Sequence, residues 1–255
     1  MTTGNRKVAL VTGAARRLGR FIALALAGRG WDVAVHYGRS ADEAMATVRD
    51  IEELGRRAAA VQCDLEDEAA VNRLLDDAAG VLGPVSCVIN NASLFESDTV
   101  ANLSLAGLDR HMHANLAAPV ILARALHAAT ADGDQSVVVN LLDQKLFNLN
   151  PDFLSYTLSK AGLHTATTVL AQALAPKVRV VGVAPGLTLV SGNQTEEGFA
   201  KAHRMTPLGR SSTPEDVASA VCFAAENQSM TGTTLLVDGG QHLIPLQRDV
   251  MFVAK

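Results

Sequence analysis

The feature that most constrains this chain is an alternation. Short runs rich in β-branched and small apolar residues, KVALVT, WDVAVHY, AAAVQC, VSCVINN, SVVVNLL, VRVVGVAP and TTLLVD, read as strands. Between them, residues 18–29, 41–54, 66–81, 105–129, 152–174 and 214–226 carry apolar residues at helical spacing. Strands that are apolar almost throughout need cover on both faces, and parallel neighbours need a crossover helix. The predicted fold class is therefore α/β: a doubly wound, seven-stranded parallel sheet flanked by helices, in a single domain over residues 1–255. Residues 187–206 form a polar stretch that breaks the alternation, and residues 187–205 are expected to be a substrate loop, either a lid or poorly ordered.

Composition narrows the partners. At 48% hydrophobic over 255 residues the chain can bury a sizeable core, and a formal charge of -4 with interspersed signs offers no basic stripe to nucleic acid or anionic membrane. Cys63, Cys87 and Cys222 are widely spaced in apolar runs, which fits reduced thiols better than disulfides. His111 and His113 stand two apart and face different sides of a helix, so no metal site is expected. Met1 to Lys7 is polar and no run of 18 apolar residues follows, which predicts a cytoplasmic protein acting on a small molecule.

The first strand runs into TGAARRLG and then a helix, the geometry in which backbone N–H groups at a helix N-terminus receive a pyrophosphate. Gly13 allows a tight turn, and Gly19 allows the helix to pack closely on the sheet. The second strand ends without the acidic residue that would bind an adenine ribose hydroxyl. It ends instead on Gly38, Arg39 and Ser40, and a guanidinium beside a hydroxyl suits a 2′-phosphate. NADPH/NADP+ is the cofactor this favours. The alternative is a solvated Arg39 with Ser40 capping the next helix. Asp64, after the third strand, could accept from the adenine amine or cap a helix.

YTLSK places Tyr156 and Lys160 four apart, on one helix face, where an ammonium would lower the phenol pKa toward the working range of a proton donor. Asn115 falls inside the preceding long helix, where its amide could bind kinked backbone or an ordered water. At this point the sequence resembles the short-chain dehydrogenase/reductase family over essentially its whole length: in TGAARRLG, NNAS at Asn90 to Ser93, Asn115, YTLSK, Pro185–Gly186, PLGR at Pro207 to Arg210 and VDGG at Val237 to Gly240. The resemblance implies a Rossmann fold with Tyr156 as proton donor. It also implies that Lys160 binds the nicotinamide ribose and depresses the phenol pKa, and that Asn115 holds a relay water. Pro185 and Gly186 would seat the nicotinamide. The expected cofactor groove runs through Gly13, Arg16, Arg17, Leu18, Gly19, His36, Tyr37, Arg39, Ser40, Asp64, Leu65, Asn91, Ala92, Ser93, Pro185, Gly186 and Thr188.

Two departures from the family pattern are informative. Asp143 stands where the family carries an active-site serine, and Arg17 replaces the middle glycine of the loop. With His36 to Ala41 and with NNAS followed by Phe95, both resemble the pteridine reductase subgroup. That resemblance implies a catalytic set of Asp143, Tyr156, Lys160 and Asn115, and a substrate site of Arg17, Ser93, Phe95 and Leu187. Phe95 would stack a pterin ring and Arg17 would reach past the pyrophosphate. An ionised carboxylate cannot donate to a ketone, whereas reduction of C=N can use Tyr156 as acid and Asp143 as acceptor or relay. Arg17 is then expected to compensate both the pyrophosphate and Asp143; the plainer reading pairs it with the pyrophosphate alone and treats Phe95 as core. The leading expectation is an NADPH-dependent reductase of a pterin or dihydropterin of the dihydrobiopterin, dihydromonapterin or dihydrofolate type. The alternatives are an NADP-dependent reductase of another carbonyl or imine and a non-catalytic NADP(H) sensor. The helix over 152–174 resembles the family's dimerising helix, which implies a homotetramer.

Overall fold

The computed structural model describes residues 7–190 and 194–253. Its strands are β1 (Val8–Val11), β2 (Asp32–Tyr37), β3 (Ala58–Gln62), β4 (Cys87–Asn90), β5 (Ser136–Leu141), β6 (Val178–Pro185) and β7 (Thr234–Val237). They form one sheet in the order β3-β2-β1-β4-β5-β6-β7, and every pairing is parallel. The predicted seven-stranded doubly wound sheet is what the chain forms. Successive strand residues point to opposite faces. Val8 and Leu10 therefore join Leu74, Leu122 and Leu126 in one core, while Ala9 and Val11 join Ile22, Leu26, Ile51 and Val221 in the other.

The helices are α1 (Arg17–Gly28), α2 (Ala41–Glu53), α3 (Glu68–Leu82), α4 (Leu105–Met112), α5 (Ala118–Ala129), α6 (Leu154–Leu174), α7 (Glu196–Arg204), α8 (Pro214–Glu226) and α9 (Val250–Val253). They correct the sequence reading at four places. The third starts at Glu68 and not Glu66, because Asp67 is the cap, its carboxylate accepting from the N–H groups of Ala69 and Ala70. The segment 105–129 is not one regular helix: a π turn at His113–Ala117 separates α4 from α5. Phe153 holds a left-handed backbone (φ 55°), which starts α6 at Leu154 and not at 152. The expected loop at 187–205 contains α7, capped by Thr195, whose hydroxyl accepts from Gly198 N–H; residues 191–193 of that loop lie outside the described residues.

Where β1 and β4 lie side by side, the chain departs to opposite faces of the sheet, and the strand ends open a crevice there. Asn91 clamps it. Its Nδ2 donates to the carbonyls of Thr12 (2.9 Å) and Gly13 (3.3 Å), and Thr12 Oγ1 accepts from the N–H groups of Asn91 and Ala92. Gly13 takes φ 63°, open to glycine without strain. Gly19 is required for a different reason: a Cβ there would sit 2.1 Å from Gly13 O and 2.6 Å from Asn91 Nδ2. Backbone cannot yield as a flexible side chain can. Gly19→Ala is expected to cost roughly 1–3 kcal/mol of stability by urea unfolding and to weaken NADPH binding with it; a variant that retains both would show that the loop can open without cost.

Candidate active site

The site is assembled at the carboxyl ends of β1, β4, β5 and β6, roofed by α6 and by the C-terminal residues. One pocket brings together Arg17, Leu18, Asn91, Ser93, Phe95, Asp143, Tyr156, Lys160, Pro185, Gly186, Leu187 and Thr188 of the expected set. It also contains Leu141, Leu142, Gln144 and Lys145, which sequence reasoning did not nominate, and Leu189, Gln241, Asp249, Val250 and Met251, which belong to the two segments, 187–203 and the tail 241–255, expected to hold the substrate determinants but not resolved there to single residues. No local pattern marks the tail residues, which reach the pocket only through tertiary contacts.

Asp143 follows β5 and opens a 3-10 turn, Gln144–Phe147. One carboxylate oxygen accepts from the Lys145 N–H (2.8 Å) and the other from the Tyr156 hydroxyl (2.7 Å). Tyr156 and Lys160, one turn apart on α6, are both buried. Lys160 donates its ammonium to Leu141 O at 2.7 Å and lies 5.9 Å from the Tyr156 ring centre. Burial lowers that ammonium to about 8, partly opposed by the charge of Asp143.

The protonation of Tyr156 departs from expectation. Burial, then the charge of Asp143 and the hydrogen bond to it, push the phenol well above its ordinary range. Lys160 does not reverse this, because carboxylate and desolvation act on the same phenolate in the same direction. Tyr156 is held as a phenol. Burial also raises Asp143, against hydrogen bonds from Lys145 and Tyr156 that lower it, so the pair forms a protonatable unit in the pocket wall.

Arg17 brings a second correction. It adopts φ 52°, a conformation that favours glycine, and its guanidinium donates to Val190 O at 2.8 Å. It shares the pocket with Asp143 but forms no ion pair with it among the described residues; Lys145 is the cation whose charge lowers Asp143. Asn115 brings a third. Fully buried, its amide oxygen accepts from Leu94 N–H and its nitrogen donates to Leu94 O and Ser159 Oγ. The side chain braces irregular backbone, as one of the two readings had it, with both of its amide protons in use.

Phe95 is 37% exposed and is not core filler. Phe153 stacks on it at 4.4 Å, and it meets Tyr156 edge-on at 4.8 Å. Ser93 Oγ donates to Leu94 O, Leu187 N–H to Gln241 Oε1, and Thr188 Oγ to Gly186 O.

The groove for a dinucleotide continues from this pocket over α1. No side chain caps α1 at Arg16, so the N–H groups of its first turn remain for a phosphate. At the end of β2, Arg39 is exposed and neither it nor the Ser40 side chain has a partner among the described residues. Ser40 makes no capping bond, which removes the alternative reading of that hydroxyl. Asp64 caps no helix either; its carboxylate accepts from Glu66 N–H in a turn, with Leu65 packing against the core beside it. Tyr37 ends β2 against the core. These features fit an NADP-type cofactor.

His36 lies beneath the groove, not in it. It is buried, Nδ1 accepting from Gly13 N–H (3.0 Å) and Nε2 donating to Cys63 O (3.1 Å). Burial lowers the imidazole to about 4 from 6.5. The folded protein resists protonation here while the unfolded chain accepts it. The stability from neutral His36 is thus complete above 6.5 and is lost as pH falls from 6.5 toward 4, worth about 3 kcal/mol in all. Urea unfolding at pH 7 and pH 4 should show that loss shrinking by about this amount in His36→Gln; an unchanged pH dependence would mean that another group carries it.

A family model described as enoyl-(acyl carrier protein) reductase matches residues 13–242. The 3beta-hydroxysteroid dehydrogenase 1 of Eggerthella lenta is 34% identical over 247 residues, covering 94% of this chain and 95% of the relative. Among solved structures, FolM alternative dihydrofolate reductase 1 from Brucella canis, complexed with NADP, superposes with a TM-score of 0.88 at 43% identity, covering 93% of this chain and 95% of that one. The corresponding Brucella suis structure, also with NADP, gives 0.87 at 41%, covering 96% and 98%.

Proposed function

The chain belongs to the short-chain dehydrogenase/reductase family as an NADPH-dependent reductase, and within that family we propose that it reduces the C=N bond of a pterin or dihydropterin. The observation that carries this reading is the 2.7 Å bond from the Tyr156 hydroxyl to Asp143. A ketone needs a second donor on its oxygen, and an ionised carboxylate supplies none. A ring nitrogen needs a single proton. The kinship with two dihydrofolate reductases named FolM supports the same substrate class.

In this reading NADPH, when bound, supplies the hydride. Arg16, Leu18 and Gly19 hold the pyrophosphate by backbone at the start of α1, with Gly13 making the turn and Asn91 and Ala92 keeping the loop closed. Arg39 and Ser40 take the 2′-phosphate, Asp64 and Leu65 flank the adenine, and Pro185, Gly186 and Thr188 seat the nicotinamide end. Phe95 offers its ring to the flat substrate, with Ser93, Arg17 and Leu187 at the edges. Tyr156 hands its hydroxyl proton to the substrate nitrogen. Asp143 orients that hydroxyl as its acceptor, and the replacement proton comes from solvent by way of Asp143, whose affinity for protons burial increases. Lys160, tied to Leu141 O, holds the floor beneath the phenol and extends to the ribose. A cytoplasmic homotetramer of single-domain subunits completes the reading; α6 leaves Leu158 (46%) and Val169 (56%) exposed, as a helix used for subunit contact would.

A second reading, reduction of a carbonyl in another metabolite, draws on the hydroxysteroid dehydrogenase relative. Asp143→Asn distinguishes them. It keeps shape and turn capping but removes charge and proton relay, so dihydropterin turnover should fall roughly 10-fold or more with NADPH affinity and Tm unchanged. Equal turnover in the variant would remove the case for a pterin site. For the cofactor, NADPH should be preferred over NADH by about tenfold or more, and Arg39→Ala should erase most of that preference, since a charge-assisted phosphate contact exceeds ~1.4 kcal/mol. Comparing kcat/KM for both coenzymes checks it; an Arg39→Ala enzyme with its preference intact would assign the phosphate to another residue.

A further inference from the structure

The residues after β7 do more than close the pocket. Lys145, only 3% exposed, donates its ammonium to Asn150 Oδ1 (2.6 Å), Asp152 O (2.6 Å) and Asp249 Oδ2 (3.3 Å), which uses all three of its protons. Its backbone N–H meanwhile holds Asp143. The tail returns the connection. Arg248 Nε donates to both oxygens of Asp152 (3.0 and 2.8 Å), and the Asp249 N–H donates to Asp152 as well. Asp249 Oδ1 accepts from Met251 N–H, which starts the turn that carries Val250 and Met251 into the pocket. Phe252 lies on Phe153 at 5.8 Å, and Phe153 lies on Phe95.

We propose that the Lys145–Asp249 pair is a positioning element of the reductase site, through which the C-terminal strap fixes Asp143 toward Tyr156 and sets the charge in which that pair works. The proposal rests on the reductase reading of the site. Neither residue touches the reacting atoms. Lys145 acts on Asp143 through its backbone N–H and through the charge of its ammonium, and Asp249 acts by its charge across the pocket.

The charged groups that face Asp143 come from every element packed around it: Lys145 on its own turn, Tyr156 and Lys160 on α6, Arg17 on α1 and Asp249 on the strap. Asp249 raises both Asp143 and Tyr156, whereas Lys145 lowers Asp143. The two partners of one ion pair therefore push the same carboxyl in opposite directions. A pair that only stabilised the fold would behave otherwise: breaking it from either side would disturb Asp143 in the same way.

The test uses the full chain labelled with 13C-aspartate, with the Asp143 carboxyl signal assigned by its loss in Asp143→Asn, and titrates it by NMR in the absence of substrate. Asp249→Asn should lower the Asp143 midpoint and Lys145→Met should raise it, and the double variant should return near the unmodified value. Asp249→Asn alone decides the matter if Lys145→Met does not fold, because a midpoint unmoved or raised by it overturns the proposal. Shifts of the same sign in both single variants overturn it as well. With a dihydropterin and NADPH, the acid limb of kcat should follow the same shifts. Because the titration needs no turnover, opposite shifts without pterin turnover would leave the positioning role standing and sink the substrate reading.

Discussion

The hydrogen bond between Tyr156 and Asp143 is the contact on which the site depends, because it joins two elements that reach the pocket by different routes. Asp143 arrives just past the end of β5, an interior strand whose neighbours β4 and β6 pair with it in parallel register. Tyr156 arrives on α6, which begins at a left-handed Phe153 and packs across β6. A shift of either element by a fraction of a hydrogen-bond length would separate phenol and carboxylate. The structure spends polar contacts on preventing it. Asn140 on β5 donates to Thr167 on α6 and accepts from Asn90 on β4, while Lys160 ties α6 to the Leu141 carbonyl. These bonds are buried, where an unmade partner costs more than a made one gains, so they specify register as well as adding stability.

That geometry also explains why a carboxylate and a phenol can share so small a space. In water the pair would ionise independently. Inside the pocket wall, charge on either group is penalised by burial, and each penalises charge on the other, so the state with one shared proton is favoured. The proton that leaves through Tyr156 is thus already paired with an acceptor of raised proton affinity. Phe95 and Phe153 keep one side of this unit apolar, which preserves the low dielectric that the arrangement requires.

Much of this was legible in the residues. The strand runs, the glycines of the first loop and the four-residue spacing of Tyr156 and Lys160 depend on local periodicity, and a parallel sheet with helices on both sides follows from the need to cover two apolar faces. Arg39 and Ser40 were readable as a pair just past the end of β2, because they follow closely on the strand. What escaped was set by distant partners. The guanidinium of Arg17 turns to Val190, the amide of Asn115 is consumed by Leu94 and Ser159, and the helix in the 187–205 stretch forms over residues that are polar in sequence. The direction of the Tyr156 pKa was misjudged because spacing shows that a lysine is near but not how deeply the phenol is buried or what else it touches. The tail could be named as a segment that shapes the substrate site, but no pattern marked its residues: a lysine after Asp143 and an aspartate more than a hundred positions later become partners only in the folded chain.

The π turn at His113–Ala117 has a consequence for how this site can be lost or altered over time. A π turn is an α-helix carrying one additional residue, and each residue rotates a helix by about 100°. Deleting a single codon in this short stretch would let the helix regularise and would swing the residues after it around the axis, carrying the Asn115 amide away from Leu94 without changing any side chain in the pocket. Point substitutions cannot produce that change. In lineages that carry this scaffold, helix length over residues 105–129 is therefore a trait that changes in whole-residue steps, and a one-residue gap there would be a stronger mark of a repurposed site than several substitutions in the pocket wall.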